Sequence, residues 1–453
     1  MPANDSSAAP QLAPPKLPQT VGDYLRSVGP GLVLAMAFLG TGDLVSSTVS
    51  GANYGYALMW TLLVALAARY FMVSAIAKYK LENRFNDHSI LAGYQRLWKG
   101  FPLFFAVLML IYGLIVQMSF MRACVVSLYN LAASVGLDGI GKTWGYPIAG
   151  ILIVALSTAL LAGSKAFYWL EWLARIASIV IVGSFIYALF RIGGVDVVAL
   201  VKGLTFAVPE HNGPFDAIFI AVATIGTIGG SAVNLLYPYF MAERGWDGPA
   251  YRKLQTFDLL GGMLPLLIIN GLFWIVAAET IRGTGMTVSS ESDLATMMEM
   301  AVGPIGPTLL WISIFLAAFT SFPAQAHGFA KLMFNGFHLA TRHKLRTTDP
   351  TLDPRFNRVA GALFIVAPLL ITLPFAPNLV YLSVFGTSVV TAITLPPILI
   401  GILILTSSKR FMLEGHANRP WETLILGVIS IIGVWSLYAI LTNLVDAIQK
   451  VAS

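Results

Sequence analysis

A single cysteine, Cys124, stands among 453 residues, so no internal disulfide can form and the redox compartment cannot be read. Charge is nearly as scarce. Only 11% of residues are Asp, Glu, Lys or Arg, against roughly a quarter in soluble domains, which excludes an ordinary soluble class. No basic segment leads a short apolar core and a cleavage site, so no signal peptide is expected. A sensor or scaffold would call for a large soluble extension, and none is seen. The two interrupted spans described below hold no His-Glu metal motif, no Gly-x-Ser-x-Gly elbow and no carboxylate pair, which argues against an intramembrane enzyme.

What is present is apolar. Apolar side chains make up 57% of the chain, and the mean hydropathy is +0.76. Runs long enough to cross a bilayer recur along the whole length, so the sequence predicts an all-α polytopic membrane protein. Residues 1–20, rich in Pro, Ala and Ser, read as a disordered cytoplasmic tail, and residues 21–453 as one transmembrane domain. Eleven spans are expected, at about 28–54, 55–79, 102–133, 145–163, 168–190, 214–242, 256–281, 305–337, 359–375, 378–406 and 421–446. The formal charge of +6 is no nucleic-acid signal, because the basic residues lie in the loops between spans. Their clusters follow even-numbered spans: Lys78, Lys80, Arg84, Arg96 and Lys99; then Arg244, Arg252 and Lys253; then Arg342 to Arg358; then Lys409, Arg410 and Arg419. The positive-inside rule then puts the N-terminus in the cytoplasm and the C-terminus outside, in a plasma membrane of bacterial type.

Two spans break the pattern. In the first, Gly40-Thr41-Gly42-Asp43 sets two helix-weakening glycines and a carboxylate near mid-membrane. An aspartate there costs at least about 2.5 kcal/mol, and an intramembrane charge is by default functional. The stretch predicts an unwound segment whose carbonyls and carboxylate line a polar cavity; the alternative is a glycine packing face with a bonded aspartate. In the sixth, Gly226, Gly229, Gly230, Ser231 and Asn234 weaken the helix, and Pro238 removes a backbone bond one turn on. Interruptions five spans apart point to a site between inverted repeats, in a five-plus-five arrangement with an eleventh helix.

The run from Gly29 to Asp43, continuing from Ser50 to Trp60, resembles the first helix of the NRAMP divalent-metal transporters. So do Ala317–Phe322 through Asn335-Gly336-Phe337, and Leu405–Met412 with Asn418-Arg419-Pro420-Trp421. The resemblance implies a LeuT-type fold with alternating access around spans 1 and 6. It also exposes departures. Where the family has Asp-Pro-Gly-Asn, with Asp and Asn as metal ligands, this chain reads Gly40-Thr41-Gly42-Asp43. Where the family has Met-Pro-His, it reads Ser231-Ala232-Val233. The acids that proton-coupled members carry in the third span are absent from Gln117–Cys124.

Gly40, Asp43, Ser231 and Asn234 would then form an all-oxygen site, with Gly42, Gly229 and Gly230 at the helix breaks. Such donors suit hard ions such as Mg²⁺ and Mn²⁺. Without the His and the acids, transport that is not proton-coupled is the simplest expectation, with the divalent cation as substrate and no cofactor. The expected partners are the bilayer and that cation, with no nucleic acid, and the chain able to act as a monomer. Arg122 argues the other way. It lies deep in the third span and needs a partner, for which Asp43, Glu171 and Glu279 are candidates. Paired with Asp43 it would exclude a divalent ion, and the substrate would be an amine or amino acid. Glu171 reads as an anchor or gate at the start of the fifth span. Asp258 would cap the seventh or pair with Arg252. His327 and Lys331 would line the pore or serve structure. Thr320, Ser321, Thr387 and Ser388 would line the pathway, or bond across helices.

Overall fold

The computed structural model describes residues 17–27, 41–87, 89–137, 139–162, 166–210, 212, 215–229, 232–341 and 356–452. Among these, nine helices are long and apolar enough to cross a membrane. Two shorter elements complete the eleven expected positions. One is α1, Thr41–Tyr54, whose preceding run 28–40 lies outside the described residues. The other is the apolar helix Arg358–Thr372, here α9. The remainder are α2 (Met59–Glu82), α3 (Phe101–Ser134), α4 (Gly141–Ala162), α5 (Ala166–Ile192), α6 (Ala217–Ala242, interrupted), α7 (Arg252–Ile281), α8 (Gly306–Thr341), α10 (Leu379–Ser407, with a π turn) and α11 (Pro420–Ala452).

Burial sorts these helices into layers. In α6, 94% of the apolar window is buried, against 33% in α4, α5 and α11. So α6 runs through the centre, and the other three present apolar side chains such as Ile151, Ile179 and Ile431 outward, where lipid replaces water. The longest pair, α3 and α8, forms the most extensive helix contact. Small residues let these helices close up: a Cβ on Gly113 would lie 3.1 Å from the Phe329 ring of α8, and one on Gly336 would strike the Pro102 carbonyl of α3.

Polar caps start several helices. Asp216 accepts from the amides of Ile218 and Phe219 at the head of α6, and Asn378 accepts from Tyr381 at the head of α10. α1 ends at Gly55, whose φ of +56° turns the chain toward α2. The Trp274 indole of α7 donates to the Gly55 carbonyl at 2.8 Å, and a Cβ on Gly51 would collide with the Trp274 carbonyl. α1 and α7 therefore touch backbone to backbone.

Among the described residues four short α-helices lie outside the expected spans: Val21–Ser27, Ile90–Leu97, Val197–Lys202 and Glu291–Val302. Ile90–Leu97 is capped by Ser89. Glu291–Val302 begins with a capping box, in which Ser290 and Asp293 each satisfy the other's backbone N–H. Burial would raise the Asp293 carboxyl, but donors from Ser289 and Ser290 outweigh it and hold the group below the ordinary carboxylate range.

Candidate functional site

The interruption of α6 is a sequence of three backbone states. An α-helix ends at Thr224, a π turn covers Ile225–Gly229, and a 3₁₀ turn covers Ala232–Leu236 before the helix Tyr237–Glu243. Pro238 stands in the first turn of that last helix, where its missing N–H costs nothing, so it is a starter and not a breaker. Gly229 is needed for contact: a Cβ there would lie 2.7 Å from the Ala65 carbonyl of α2. Gly230 and Ser231 lie outside the described residues, as does Gly40.

Against this turn lies the start of α1. Asp43 lies in the first described turn of α1 and is buried. Gly42 shows how tightly three elements converge. A Cβ there would sit 3.0 Å from Thr387 Oγ1 of α10 and 3.5 Å from Thr227 Cγ2 of the π turn. Ser383, in the π turn of α10, reaches Ser119 of α3 at 3.1 Å between hydroxyls. One turn beyond Asp43, Ser46 is fully buried with no hydrogen-bond partner among the described residues. Ser50, on the same stripe, meets Thr224 of α6 at 3.2 Å. The Asn234 side chain is fully buried, and neither its amide nitrogen nor its oxygen has a partner among the described residues. Such groups are costly to leave unmade, which is the mark of a site built for something else.

A charge that sequence reasoning passed over completes the crossing. Arg69 of α2 is 2% exposed. Its Nη1 donates to the Ile228 carbonyl of the π turn at 2.9 Å and lies 4.0 Å from Asp43 Oδ2, the outer limit of an ion pair. The signal was available: an arginine in the middle of an apolar span is the same anomaly as an aspartate there.

Arg122 lies elsewhere. It pairs with Glu291, with Nη2 at 3.0 Å and Nε at 3.1 Å from Oε1, and its guanidinium stacks 4.8 Å from the Tyr146 ring centre. None of the three expected partners is the one found. The physical reason is length: 21 residues along α3 carry Arg122 about 30 Å from Phe101. There it meets the Glu291–Val302 helix, whose fold the sequence reading lacked. Glu291 also accepts from the Leu379 amide, tying α10 to the same point. Glu279 instead accepts from the Tyr56 hydroxyl at 2.7 Å and from the Asp196 amide at 2.7 Å. Glu171 is in α5, but its side chain lies outside the described residues.

Other expectations also shift. Asp258 takes the Tyr237 hydroxyl at 2.8 Å, while Arg252 donates to Ser74. Thr320 and Ser321 donate to the Ala317 carbonyl, and Thr387 and Ser388 to Ser383 and Val384, so all four hydroxyl protons stay within their own helices. His327 packs edge-on to Phe356. In the third span, where acids are absent, Gln117 donates to the carbonyls of Phe322 in α8 and Phe364 in α9.

Among the described residues no three His, Cys, Asp or Glu side chains gather as a metal cluster. Along the described start of α1 and the interrupted stretch of α6 stand one carboxylate, an amide, hydroxyls and carbonyls. That oxygen set fits a hard cation that keeps part of its water. A cavity of about 300 Å³ opens beyond the far end of α1, lined by Ala52, Tyr56, Asn212, Arg282 and Met286 among others. At the opposite end of the bundle, Lys78 pairs with Glu422 and Lys80 with Asp247, both at 2.9 Å.

Residues 31–442 match the Nramp family, described as natural resistance-associated macrophage protein-like. The chain is 23% identical over 412 residues to the divalent metal cation transporter MntH of Caldanaerobacter subterraneus subsp. tengcongensis, covering 90% of each. It is also 23% identical over 427 residues to MntH of Bacillus subtilis, again covering 90% of each. In fold it is similar to the manganese transporter of Eremococcus coleocola, with TM-score 0.72 at 15% identity, covering 96% of this chain and 94% of that one. The nucleobase-cation-symport-1 transporter Mhp1 is more distant, with TM-score 0.54 at 15% identity and coverage of 98% and 96%. The fold is therefore of the LeuT type, and a family match running over residues 31–442 of 453 makes this integral membrane protein a member of the Nramp family.

Proposed function

We propose that the chain carries a divalent metal cation across the membrane by alternating access, taking the ion at the crossing of α1 and α6. The observation that carries this reading is the buried Asp43 carboxylate of α1, linked through Arg69 to the π turn of α6. Asp43, Asn234, the carbonyls of the π turn, Ser231 and Gly40 are the assigned contacts. The oxygen donors favour Mg²⁺ or Mn²⁺ over softer metals. Gln117 in place of an acid, and the lack of a His at Val233, support transport without proton coupling. The basic loops support an N-terminus in the cytoplasm and a C-terminus outside. The MntH relatives and the manganese transporter make metal the parsimonious substrate class.

One observation favours a second reading. Arg69 beside Asp43 brings a fixed positive charge to the site, which suits a zwitterionic amine or amino acid. Titration calorimetry with Mg²⁺, Mn²⁺ and Ca²⁺, on the native protein and on Asp43→Ala, separates the two. Saturable binding lost in the variant, with uptake into proteoliposomes and no internal pH change, is expected. Failure of every divalent ion to bind or enter would sink the metal reading and turn the screen to amino acids.

A further inference from the structure

Arg69 donates to one oxygen that a cation at the crossing would want and stands at the outer limit of an ion pair with another. The Ile228 carbonyl is presented by the π turn of α6, and the Asp43 carboxylate by the first turn of α1. A guanidinium has five donors and no acceptor and stays protonated, so it cannot ligate a metal; it can only compete for the metal's ligands. Its stem belongs to α2, a third element, so it can leave the oxygens without unfolding either broken segment. A divalent ion entering beside Arg69 would meet like charge at close range in a poorly screened interior.

We propose that Arg69 is a tethered stand-in for the transported cation: it sits on Asp43 and the Ile228 carbonyl when the site is empty, and moves off them when the ion binds. Two consequences follow. Arg69 weakens metal affinity, because binding must displace it. Arg69 also speeds the return of the empty carrier, because it compensates the buried carboxylate during that step. The inference rests on the divalent-cation reading for the identity of the competitor.

The test is Mn²⁺ titration and proteoliposome flux on the native protein, Arg69→Gln and Arg69→Lys, with monodisperse elution as the folding check. Arg69→Gln is expected to tighten Mn²⁺ binding about tenfold or more. Its net uptake should slow while exchange of labelled Mn²⁺ across loaded vesicles is kept. Arg69→Lys, which keeps the charge, should stay near the native affinity. A merely structural arginine would instead lose binding and exchange together, and that outcome, or unchanged affinity in Arg69→Gln, overturns the proposal. Should Arg69→Gln not fold, Arg69→Ala with 20 mM guanidinium supplies the same comparison: the free cation should compete with Mn²⁺ and restore net uptake, and failure to do so counts against the inference. Native protein that binds no divalent ion, beside an Arg69→Gln that does, would retain the stand-in and sink the transport reading. Native binding with an indifferent variant would do the reverse.

Discussion

At the scale of single residues, the sequence was informative where chemistry clashed with surroundings. Asp43 and Asn234 stood out because each interrupts an apolar run, and both are buried, Asp43 in α1 and Asn234 in the 3₁₀ turn of α6. Arg69 clashes just as strongly with its apolar span, yet it carries no neighbouring glycine or helix-breaking signal. Its role depends on where α2 lies relative to the π turn, and that is tertiary information. Asn234 yields a prediction of its own. A buried amide without partners costs about 1–3 kcal/mol, so Asn234→Ala should leave the empty protein no less stable, once the small cavity is counted. The rise in Tm on adding Mn²⁺ should shrink or vanish. Thermal scans with and without the metal decide: a low Tm with an intact metal shift would make Asn234 structural.

Helices and their junctions were legible in position but not in detail. Glycine and Asn in α6 announced a break, yet the sequence could not say that a π turn and a 3₁₀ turn would share it. Pro238 was assigned the wrong task, since its place relative to the new helix start was unknown. The Glu291–Val302 helix carries a readable capping signature in Ser290 and Asp293 but is too short and polar to stand out as a span, and it holds the partner of Arg122. Breaking this pair should be expensive, because both side chains are largely buried and Glu291 also holds the head of α10. Arg122→Gln should cost about 2–3 kcal/mol, somewhat under the range for fully buried pairs. Because it joins α3 to a helix away from the crossing, Mn²⁺ affinity should stay within about twofold. Chemical denaturation and calorimetry on the same variant check the two halves; a large loss of affinity would place Arg122 at the ion site after all.

For the molecule as a whole, the eleven-part plan followed from hydrophobic length alone, and boundaries agreed within a few residues for most spans. Which ends of the bundle are tied was not legible, because long-range ion pairs depend on side chains meeting from distant loops. The basic residues used to infer orientation turn out to do a second task. Lys78 reaches Glu422 and Asn418 of the segment leading into α11, and Lys80 reaches Asp247 between α6 and α7. An opening in which α2 moves against α11 would part the first of these pairs. Lys78 is buried and Glu422 only 22% exposed, so this pair is worth about 1 kcal/mol, the upper end for surface pairs, and Lys78→Met should shift the balance of states two- to fivefold. Labelling of a Thr227→Cys probe in a Cys124→Ser background, in vesicles of both orientations, reports that shift; equal rates would mean the pairs do not gate.

The backbone contact of Gly51 with Trp274 carries a mechanical consequence. With no side chain between them at Gly51, and with Ser47 bonded to Asn270 and the indole clasped on Gly55, α1 and α7 would move as one stiff arm. A displacement starting at Asp43 would pass to α7 without backlash, so the smallest part of this carrier able to rock is a helix pair, and a spectroscopic label on α7 should register a ligand that touches only α1.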